Sequence, residues 1–391
     1  MKETAMNLPQ GFRYATTYAG IRKVAKDDLA LIVSDKPASS AAVFTQNNVV
    51  AAPVVLARQN LKTSRGKSRA WLINAGNANC ATRTGEKVAN TCVNAAAKAL
   101  KAKPTEILPA STGVIGVEMN AQLVVKALPK LVESLSADAF DKVANAIMTT
   151  DTRPKTAFAQ INGEVSMAGM AKGAGMIQPN MATTLGFVVT DAVATPAELQ
   201  AALKKAIAVT FNCLTVDGDT STNDTVAVLA NGASGIKVSA LALEMALTKV
   251  LESLAKQIAA DGEGARKLVT IDVEGAKTFE DAQKIGRAIA NSPLVKTAIA
   301  GSDPNWGRVI AAAGYSGIKF DPKNVDIYMQ GLKVCQGGLA AKFSEAKLTK
   351  KLDEPETYIR LIINGKGKAK ARIWTCDFTE GYIQINGSYR T

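Results

Sequence analysis

The chain has 391 residues, and none of them is histidine. This absence excludes Ser-His-Asp and Cys-His catalysis, and it also excludes zinc sites that use histidine ligands. A threonine can still act as a nucleophile if it becomes the first residue of a chain, because its own α-amine then serves as the base. The pKa of an α-amine is about 7.7–8.0, so a useful fraction of it is neutral near pH 7.

Aromatic residues are also scarce, at 5% of the chain. The formal net charge of +13 would suit a nucleic-acid partner, but so few aromatic side chains leave little for base stacking. The lysines and arginines are spread along the chain rather than gathered in one block. A basic surface and an anionic substrate explain the charge, and we expect no nucleic-acid partner.

Long apolar runs and paired cysteines are absent from the sequence as well. No run approaches the length of a membrane span, and the first residues, MKETAMNLPQGFRY, lack the apolar core of a signal peptide. We therefore expect a cytoplasmic protein without a membrane partner. The cysteines are odd in number and form no CxxC pair, which is typical of reduced cytosolic thiols. They are Cys80, Cys92, Cys213, Cys335 and Cys376.

Apolar patterning predicts alternating strands and helices, and therefore an α/β protein without internal repeats. Strands are predicted at 29–33, 41–44, 49–55, 70–74, 185–189, 268–273, 294–300, 324–329, 357–363, 371–378 and 382–386. Helices are predicted at 85–102, 120–135, 138–148, 240–260, 279–291 and 306–313. A further helix begins after Thr195, which is followed by proline and, three residues on, by Glu198. The pair Asn364-Gly365 predicts a hairpin between the strands on either side.

The segment 172–191 joins a loop with two glycines to an apolar strand. Thr183 and Thr184 stand where the loop meets the strand. Because the chain has no imidazole base, we hypothesise that the Ala182–Thr183 bond is broken, with Thr183 attacking the carbonyl of Ala182. The alternative is that the two threonines simply begin a strand.

The acidic loop from Asp217 to Asp224 is similar to a cation-binding loop. An EF-hand that starts at Asp217 would need glycine at its sixth position and glutamate at its twelfth. Those positions hold Thr222 and Val228, so the sequence does not support a calcium site. We expect the loop to support the nucleophile through side-chain hydrogen bonds instead.

Eight motifs, spread over nearly the whole chain, occur in an order that is specific to one family. They are NAGNANC at 74–80, STGVIG at 111–116, MTTDT at 148–152, KGAGMIQPNMATTLGFVVTDA from Lys172, TVDGDTSTND at 215–224, DGEGA at 261–265, SDPNWGR at 302–308 and the final INGSYRT. The chain thus resembles the ornithine acetyltransferase family, also called bifunctional glutamate N-acetyltransferase. The resemblance implies a fold like that of the DmpA-type aminopeptidases, a two-layer α/β sandwich of sheets and helices.

The same resemblance implies an enzyme of the self-processed N-terminal-nucleophile type. Cleavage after Ala182 would give a fragment 1–182 and a fragment 183–391 that begins with the nucleophile Thr183. Thr112 and Gly113 match the positions of an oxyanion hole. The positions that match substrate-binding residues are Thr149, Lys172, Thr183, Glu263, Asn386 and Thr391. Of these, Lys172 would meet a substrate carboxylate and Glu263 would face an amino group.

The implied reaction moves an acetyl group from N2-acetylornithine to glutamate in two steps, in arginine biosynthesis. It needs no metal and no bound cofactor, although acetyl-CoA is a co-substrate in bifunctional members of the family. The implied assembly is an α2β2 heterotetramer of the two fragments. Two alternatives remain, an aminopeptidase or amidase with the same freed threonine, and an uncleaved non-catalytic anion-binding protein. Gln178, where many relatives carry histidine, and an irregular loop at 77–85 depart from the family pattern.

Overall fold

The computed structural model describes residues 8–178 and 184–388. Within these residues the chain forms two β-sheets with helices packed against them, so the predicted α/β class is confirmed. The strands are β1 Phe12–Thr17, β2 Leu29–Phe44, β3 Lys67–Asn74, β4 Ile107–Ser111, β5 Lys155–Ile161, β6 Val165–Lys172, β7 Leu185–Thr190, β8 Thr225–Ala230, β9 Leu268–Ala276, β10 Val325–Met329, β11 Leu332–Gln336, β12 Leu339–Ala340, β13 Glu356–Ile363 and β14 Ala369–Cys376. The helices are α1 Ala52–Thr63, α2 Gly85–Leu100, α3 Ala121–Glu133, α4 Phe140–Ala146, α5 Pro196–Val209, α6 Ala240–Ala260, α7 Phe279–Asn291, α8 Pro293–Ala300, α9 Trp306–Gly314, α10 Glu345–Leu352 and α11 Glu380–Ser388.

The first sheet is strongly curled, which brings strands together that are not neighbours in it. Its strand order is β4-β3-β2-β8-β7-β6-β5, with β1 beside β2. The long strand β2 shifts register against β3 between Val33 and Ala38, a stretch that contains Pro37. Trp71 of β3 and Phe187 of β7 have ring centroids 5.3 Å apart, although β2 and β8 lie between their strands in the sheet.

Side chains of the first sheet alternate between two cores, as the two-residue period of a β-strand requires. Leu29 and Leu31 of β2 pack with residues of α2 and α3 on one face. Ala30 and Ile32 pack with residues of α4 on the other face. Because both faces are covered, this part of β2 is a continuous apolar run rather than an alternating one.

The second sheet has the strand order β12-β11-β10-β13-β9-β14. Helix α6 contacts β5 and β6 of the first sheet as well as β9 and β14 of the second, and α7 packs on β9 and β14. A single hydrophobic core therefore extends from the first sheet through α5 and α6 to the second sheet. Across residues 8–178 and 184–388, no helix has both the length and the apolar character that crossing a membrane requires.

Helices with clear caps and long periodic patterns are the elements that the sequence predicts best. Helix α6 has the predicted bounds, and the Ser239 hydroxyl accepts from the N–H of Ala242 at its start. At the start of α5, the Thr195 hydroxyl accepts from the N–H of Glu198, and the Glu198 carboxylate accepts from the N–H of Thr195. This reciprocal pair is a capping box.

The strand predicted at 49–55 is wrong, because helix α1 begins within it. Pro53 lies in the first turn of α1. The N–H groups of a first turn have no acceptor within the helix, so a proline there costs no hydrogen bond. Val54 and Ala57, three residues apart, are buried on one face of the helix. A short apolar run fits a strand or a helix equally well, so its apolar pattern alone does not distinguish the two. The strands predicted at 29–33 and 41–44 are parts of the single strand β2.

Two more predicted strands, 294–300 and 382–386, are wrong because both segments are helical. Helix α8 follows Ser292, whose hydroxyl accepts from the N–H of Val295 at 3.3 Å. Helix α11 follows Thr379, whose hydroxyl accepts from the N–H of Gly381 at 3.1 Å. In both cases a hydroxyl residue before the segment caps the helix, a feature that the apolar pattern does not show.

The hairpin predicted at Asn364-Gly365 is wrong as well. Strands β13 and β14 do not pair with each other, because β9 lies between them. Strand β9 runs parallel to β13 and antiparallel to β14. The Asn-Gly pair shows only that the chain turns. It does not show that β9, from an earlier part of the chain, lies between β13 and β14.

A Cβ added at Gly275 of β9 would lie 2.0 Å from the carbonyl oxygen of Ile363 in β13. The φ of Gly275 is +82°, so a methyl group there would both clash with that oxygen and strain the backbone. We expect Gly275→Ala to lower the midpoint of thermal unfolding, followed by circular dichroism. Gly365→Ala is the control, since nothing lies within 4 Å of its added Cβ. Equal midpoints for the two variants would contradict this packing.

Candidate active site

A cavity of about 220 Å³ lies where the ends of β4 and β6 meet the starts of β7 and β8. The residues around it come from both sides of the Ala182–Thr183 bond. Among them are Thr112, Gly113, Thr149, Lys172, Thr184, Asp217, Asp224, Glu263, Tyr382 and Asn386. The structure thus brings six of the residues predicted for the site to one cavity, although they are distant in sequence.

The remaining predicted residues, Ala182, Thr183 and Thr391, lie outside the described residues. Thr184, the next residue after Thr183, lines the cavity and is 3% exposed. Its carbonyl accepts from the N–H of Thr225 at 2.9 Å, which joins the start of β7 to the start of β8. Thr184, the second residue after the proposed cleavage bond, is therefore fixed at the wall of the cavity.

Thr112 and Gly113 follow directly after β4. The N–H of Thr112 donates to the carbonyl of Asn74 at 2.8 Å, so its hydroxyl is the donor that a ligand can reach. The φ of Gly113 is +128°, and a Cβ there would lie 2.7 Å from the backbone N of Asn77. Within residues 8–178 and 184–388, no backbone acceptor takes the N–H of Gly113. One hydroxyl and one N–H are thus available to an anionic oxygen, as an oxyanion hole requires.

Two asparagine side chains hold the backbone around this pair of donors. Asn74 Nδ2 donates to the carbonyl of Asn77 at 2.8 Å. Asn223 Nδ2 donates to the carbonyls of Ala78 and Ser111 at 2.6 and 2.9 Å. The loop at 77–85, which departs from the family pattern in sequence, is therefore tied to the end of β4 and to the start of β8. The sequence did not predict this role. Asn223 binds residues more than 100 positions away, and Asn74 binds a loop without a regular pattern.

Lys172 ends β6, and its Nζ donates to the hydroxyl of Thr149 at 3.1 Å. Burial lowers the pKa of the Lys172 ammonium below its ordinary value, while the carboxylates of Asp151 and Asp224 oppose that shift. Asp224 is 2% exposed, and burial raises its pKa well above the ordinary range. The cavity therefore offers an ammonium group to an anionic ligand, and that group loses its proton more readily than a surface lysine.

A second lysine, Lys155 of β5, is buried between two carboxylates. Its Nζ lies 2.6 Å from Asp151 Oδ1 and 2.6 Å from Asp261 Oδ2. Asp151 also accepts from the N–H groups of Thr149 and Gly173, at 2.9 and 2.6 Å. Burial disfavours the charged form of Asp151, but Lys155, the charge of Lys172 and the N–H of Gly173 outweigh it and hold the pKa of Asp151 below its ordinary value. Asp151 and Asp261 lie in the motifs MTTDT and DGEGA, but neither motif indicates that they pair with Lys155. The triad fixes the backbone at Thr149 and next to Lys172.

Glu263 lies just beyond the end of α6 and is 8% exposed. Asn386 Nδ2, from α11, donates to Glu263 Oε2 at 2.7 Å. The N–H of Glu263 donates to the carbonyl of Ala174 at 2.9 Å, and a side chain at Gly175 would occupy the space of the Glu263 carboxylate. The loop before the proposed cleavage bond and the C-terminal helix therefore meet at this carboxylate.

A model of the ArgJ family matches residues 13–391. The chain belongs to the ArgJ family. The arginine biosynthesis bifunctional protein ArgJ of Chlorobaculum tepidum is 45% identical to it over 392 residues, which cover 98% of this chain and 96% of that protein. The ArgJ protein of Bradyrhizobium diazoefficiens is 46% identical over 396 residues, which cover 97% of this chain and 95% of that protein.

A crystal structure of arginine biosynthesis bifunctional protein ArgJ from Bacillus halodurans is also similar, with 40% identity and a TM-score of 0.50. The match covers 52% of this chain and 98% of that chain. Membership of the ArgJ family confirms the resemblance to ornithine acetyltransferases. It also confirms the expectation of an acyltransferase enzyme of arginine biosynthesis with an α/β sandwich of sheets and helices.

The buried triad around Lys155 gives a stability test. We expect Lys155→Met to cost about 3–5 kcal/mol, because it leaves Asp151 and Asp261 as buried carboxylates without their main counter-charge. Thermal unfolding followed by circular dichroism would show a lower midpoint. Lys142→Met removes an exposed lysine of α4 and is the matched control. If both variants unfold at the midpoint of the wild type, the triad does not support the site.

Proposed function

We propose that this member of the ArgJ family transfers an acetyl group from N2-acetylornithine to glutamate, giving ornithine and N-acetylglutamate. The observation that carries the proposal is the meeting of Thr112, Gly113, Lys172 and Glu263 around one cavity, beside Thr184. Together they supply donors for an anionic oxygen, a cation for a carboxylate and an anion for an amino group. N2-acetylornithine and glutamate are amino acids that present these groups.

The proposed catalyst is Thr183, freed by cleavage of the Ala182–Thr183 bond. The absence of histidine supports this proposal, because the α-amine of a first residue supplies the base that the chain otherwise lacks. The Bacillus halodurans chain aligns over 98% of its own length with only 52% of this chain, so that relative's chain is about half as long. Cleavage near the middle, into fragments 1–182 and 183–391, accounts for a chain of that length.

In the first half-reaction the Thr183 hydroxyl attacks the acetyl carbonyl and passes its proton to the α-amine. The Thr112 hydroxyl and the Gly113 N–H stabilise the oxyanion that forms, which is where preorganised donors contribute most. The bond between the acetyl carbon and the α-nitrogen then breaks as the protonated α-amine of Thr183 gives its proton to that nitrogen, so ornithine leaves and the acetyl group stays on Thr183 as an ester. In the second half-reaction the free amine of glutamate attacks this ester and returns the threonine, which completes a ping-pong cycle.

The charged residues of the cavity would orient both amino acids. Lys172, held by Thr149, would pair with the substrate carboxylate. Glu263, held by Asn386, would pair with an ammonium group. Thr391, at the end of the chain, is proposed as the remaining substrate contact by family resemblance.

This chemistry requires no metal and no bound organic cofactor, because the freed threonine, its amine and the oxyanion donors suffice. The word bifunctional in the names of the relatives supports acetyl-CoA as a second acetyl donor for glutamate. Product analysis with acetyl-CoA as the sole donor tests that part of the proposal. From the family resemblance we also propose a cytoplasmic assembly of two copies of each fragment.

Cleavage and transfer are tested together on the purified protein. We expect denaturing electrophoresis and intact mass measurement to show fragments 1–182 and 183–391 for the wild type, and one uncut chain for Thr183→Ala. Thr184→Ala, a matched change at the next residue, should still be cut after Ala182. We expect the wild type to convert N2-acetylornithine and glutamate into ornithine and N-acetylglutamate. Release of free acetate without transfer to glutamate would instead identify an amidase.

The lowered pKa of Lys172 predicts a pH dependence of substrate binding. The ammonium form is fully present below that pKa and is lost as the pH rises through it, so the KM for N2-acetylornithine should increase towards alkaline pH. Lys172→Arg keeps its charge over this range and should lack the increase. Steady-state kinetics at a series of pH values measures the KM of the wild type and of Lys172→Arg. The same alkaline increase in the two proteins would assign the titration to another group.

A further inference from the structure

The segment 176–178, which precedes the proposed cleavage bond, pairs with the loop 215–220, which follows it in sequence. The N–H of Val216 donates to the carbonyl of Ile177 at 2.7 Å. The Thr220 hydroxyl donates to the carbonyl of Gln178 at 3.0 Å, and Ile177 and Thr220 form an antiparallel bridge. The carbonyls of Ile177 and Gln178 are therefore bound by residues from the other side of the Ala182–Thr183 bond.

The carboxylate of Asp217 binds the N–H groups of the same segment. Its Oδ2 accepts from Met176 at 2.6 Å, and its Oδ1 accepts from Ile177 at 2.9 Å. Hydrogen bonds to an ionised carboxylate are shorter and stronger than neutral ones. These two bonds run along consecutive residues, so they fix the direction of the chain as well as its distance from the loop.

Met176 needs such support because its backbone is in the left-handed region, with a φ of +55°. A side chain other than glycine is strained there and persists only where the surroundings hold it. Asn291 adds a hydrogen bond from its Nδ2 to the Gln178 side chain. Gly175, Met176 and Ile177 all line the cavity, so these hydrogen bonds fix a part of its wall that lies shortly before the cleavage bond in sequence.

Asp217 also contacts the C-terminal helix. The Tyr382 hydroxyl donates to Asp217 Oδ2 at 3.3 Å, and Tyr382 lines the cavity. Burial and the carboxylate of Asp217 raise the pKa of that tyrosine, so it stays a hydrogen-bond donor. Among residues 8–178 and 184–388, no lysine or arginine forms an ion pair with Asp217. Its negative charge is thus directed to backbone N–H groups and one hydroxyl rather than to a cation.

We propose that Asp217 is a positioning residue for self-cleavage. By holding the backbone of Met176 and Ile177 it fixes the stretch that leads, in sequence, into the cleavage segment, and we expect the Ala182–Thr183 bond to be cut more slowly without this anchor. The same bonds would keep residues 176–178 of fragment 1–182 attached to fragment 183–391 after the cut, since donors and acceptors come from different fragments. This inference rests on the proposed self-cleavage, and it names the residue that prepares the chain for it.

The test follows the rate at which the full chain is cut. Wild type, Asp217→Ala and Asp217→Asn are made by cell-free synthesis, and denaturing electrophoresis records the loss of the uncut chain over time. We expect the half-time to be at least about tenfold longer for Asp217→Ala, because two hydrogen bonds to a charged group are lost. Asp217→Asn keeps the shape and one acceptor oxygen, so it should fall between Asp217→Ala and the wild type. Asp219→Asn is the matched control, since the Asp219 side chain accepts no N–H from segment 176–178.

A purely structural role would give a different pattern. It would lower the thermal midpoint of the uncut Asp217→Asn chain below that of uncut Thr183→Ala, and folded Asp217→Asn chains would be cut at the wild-type rate. That result, or cleavage of Asp217→Ala at the wild-type rate, overturns the inference and leaves the proposed function intact. If Asp217→Ala does not fold, the rate of Asp217→Asn decides. A wild-type chain that is never cut overturns the proposed function and this inference with it.

Discussion

The geometry of the site depends on the two ion pairs that the buried ammonium group of Lys155 forms. This group lies at 2.6 Å from two carboxylates, Asp151 and Asp261, that belong to different parts of the fold. Asp151 holds the N–H groups of Thr149 and Gly173, and Asp261 ends helix α6 two residues before Glu263. One buried cation therefore sets the relative positions of the residues proposed to bind the two ends of a substrate. A buried charge of this kind is costly to leave unpaired, so the loss of any one of the three residues destabilises the arrangement.

Hydrogen bonds from asparagine side chains position the backbone around Thr112 and Gly113, which also line the cavity. Asn74 and Asn223 bind backbone carbonyls and thereby place Thr112 and Gly113 against the start of β8. The curl of the first sheet makes this contact reachable, because it brings β3 and β4 towards β7 and β8. The site is thus assembled from residues on both sides of position 183, and a chain cut there would still be joined by its sheet and by these polar contacts.

How much the sequence predicts depends on whether the deciding interaction is local. Helices α5 and α6 are predicted closely, because their caps and apolar spacing lie within the segments themselves. Segment 49–55 and the proposed hairpin at Asn364 fail, because an apolar run has no unique period and because β9 inserts between two later strands. The family motifs locate the residues around the cavity, but they give no reason for their positions.

The supporting residues are harder to predict than the residues they support. Lys155 begins a strand of alternating pattern, where a lysine is ordinarily solvated, and one of its two partners is far away in sequence. The sequence argues against calcium at the Asp217 loop and predicts side-chain hydrogen bonds from it, but it does not indicate that the Asp217 carboxylate binds the backbone of residues 176 and 177. Such roles follow from which segments meet in the folded chain, and a single sequence does not contain that information.

Mass spectrometry of the acetylated enzyme tests most directly whether a chain end replaces the missing imidazole. The purified protein is incubated with N2-acetylornithine in the absence of glutamate, denatured in acid and digested. We expect one acetyl group, carried as an ester on the hydroxyl of a peptide whose first residue is Thr183, and we expect added glutamate to remove it. An active enzyme in which Thr183 still follows Ala182, or in which the acetyl group resides on another residue, would contradict this mechanism.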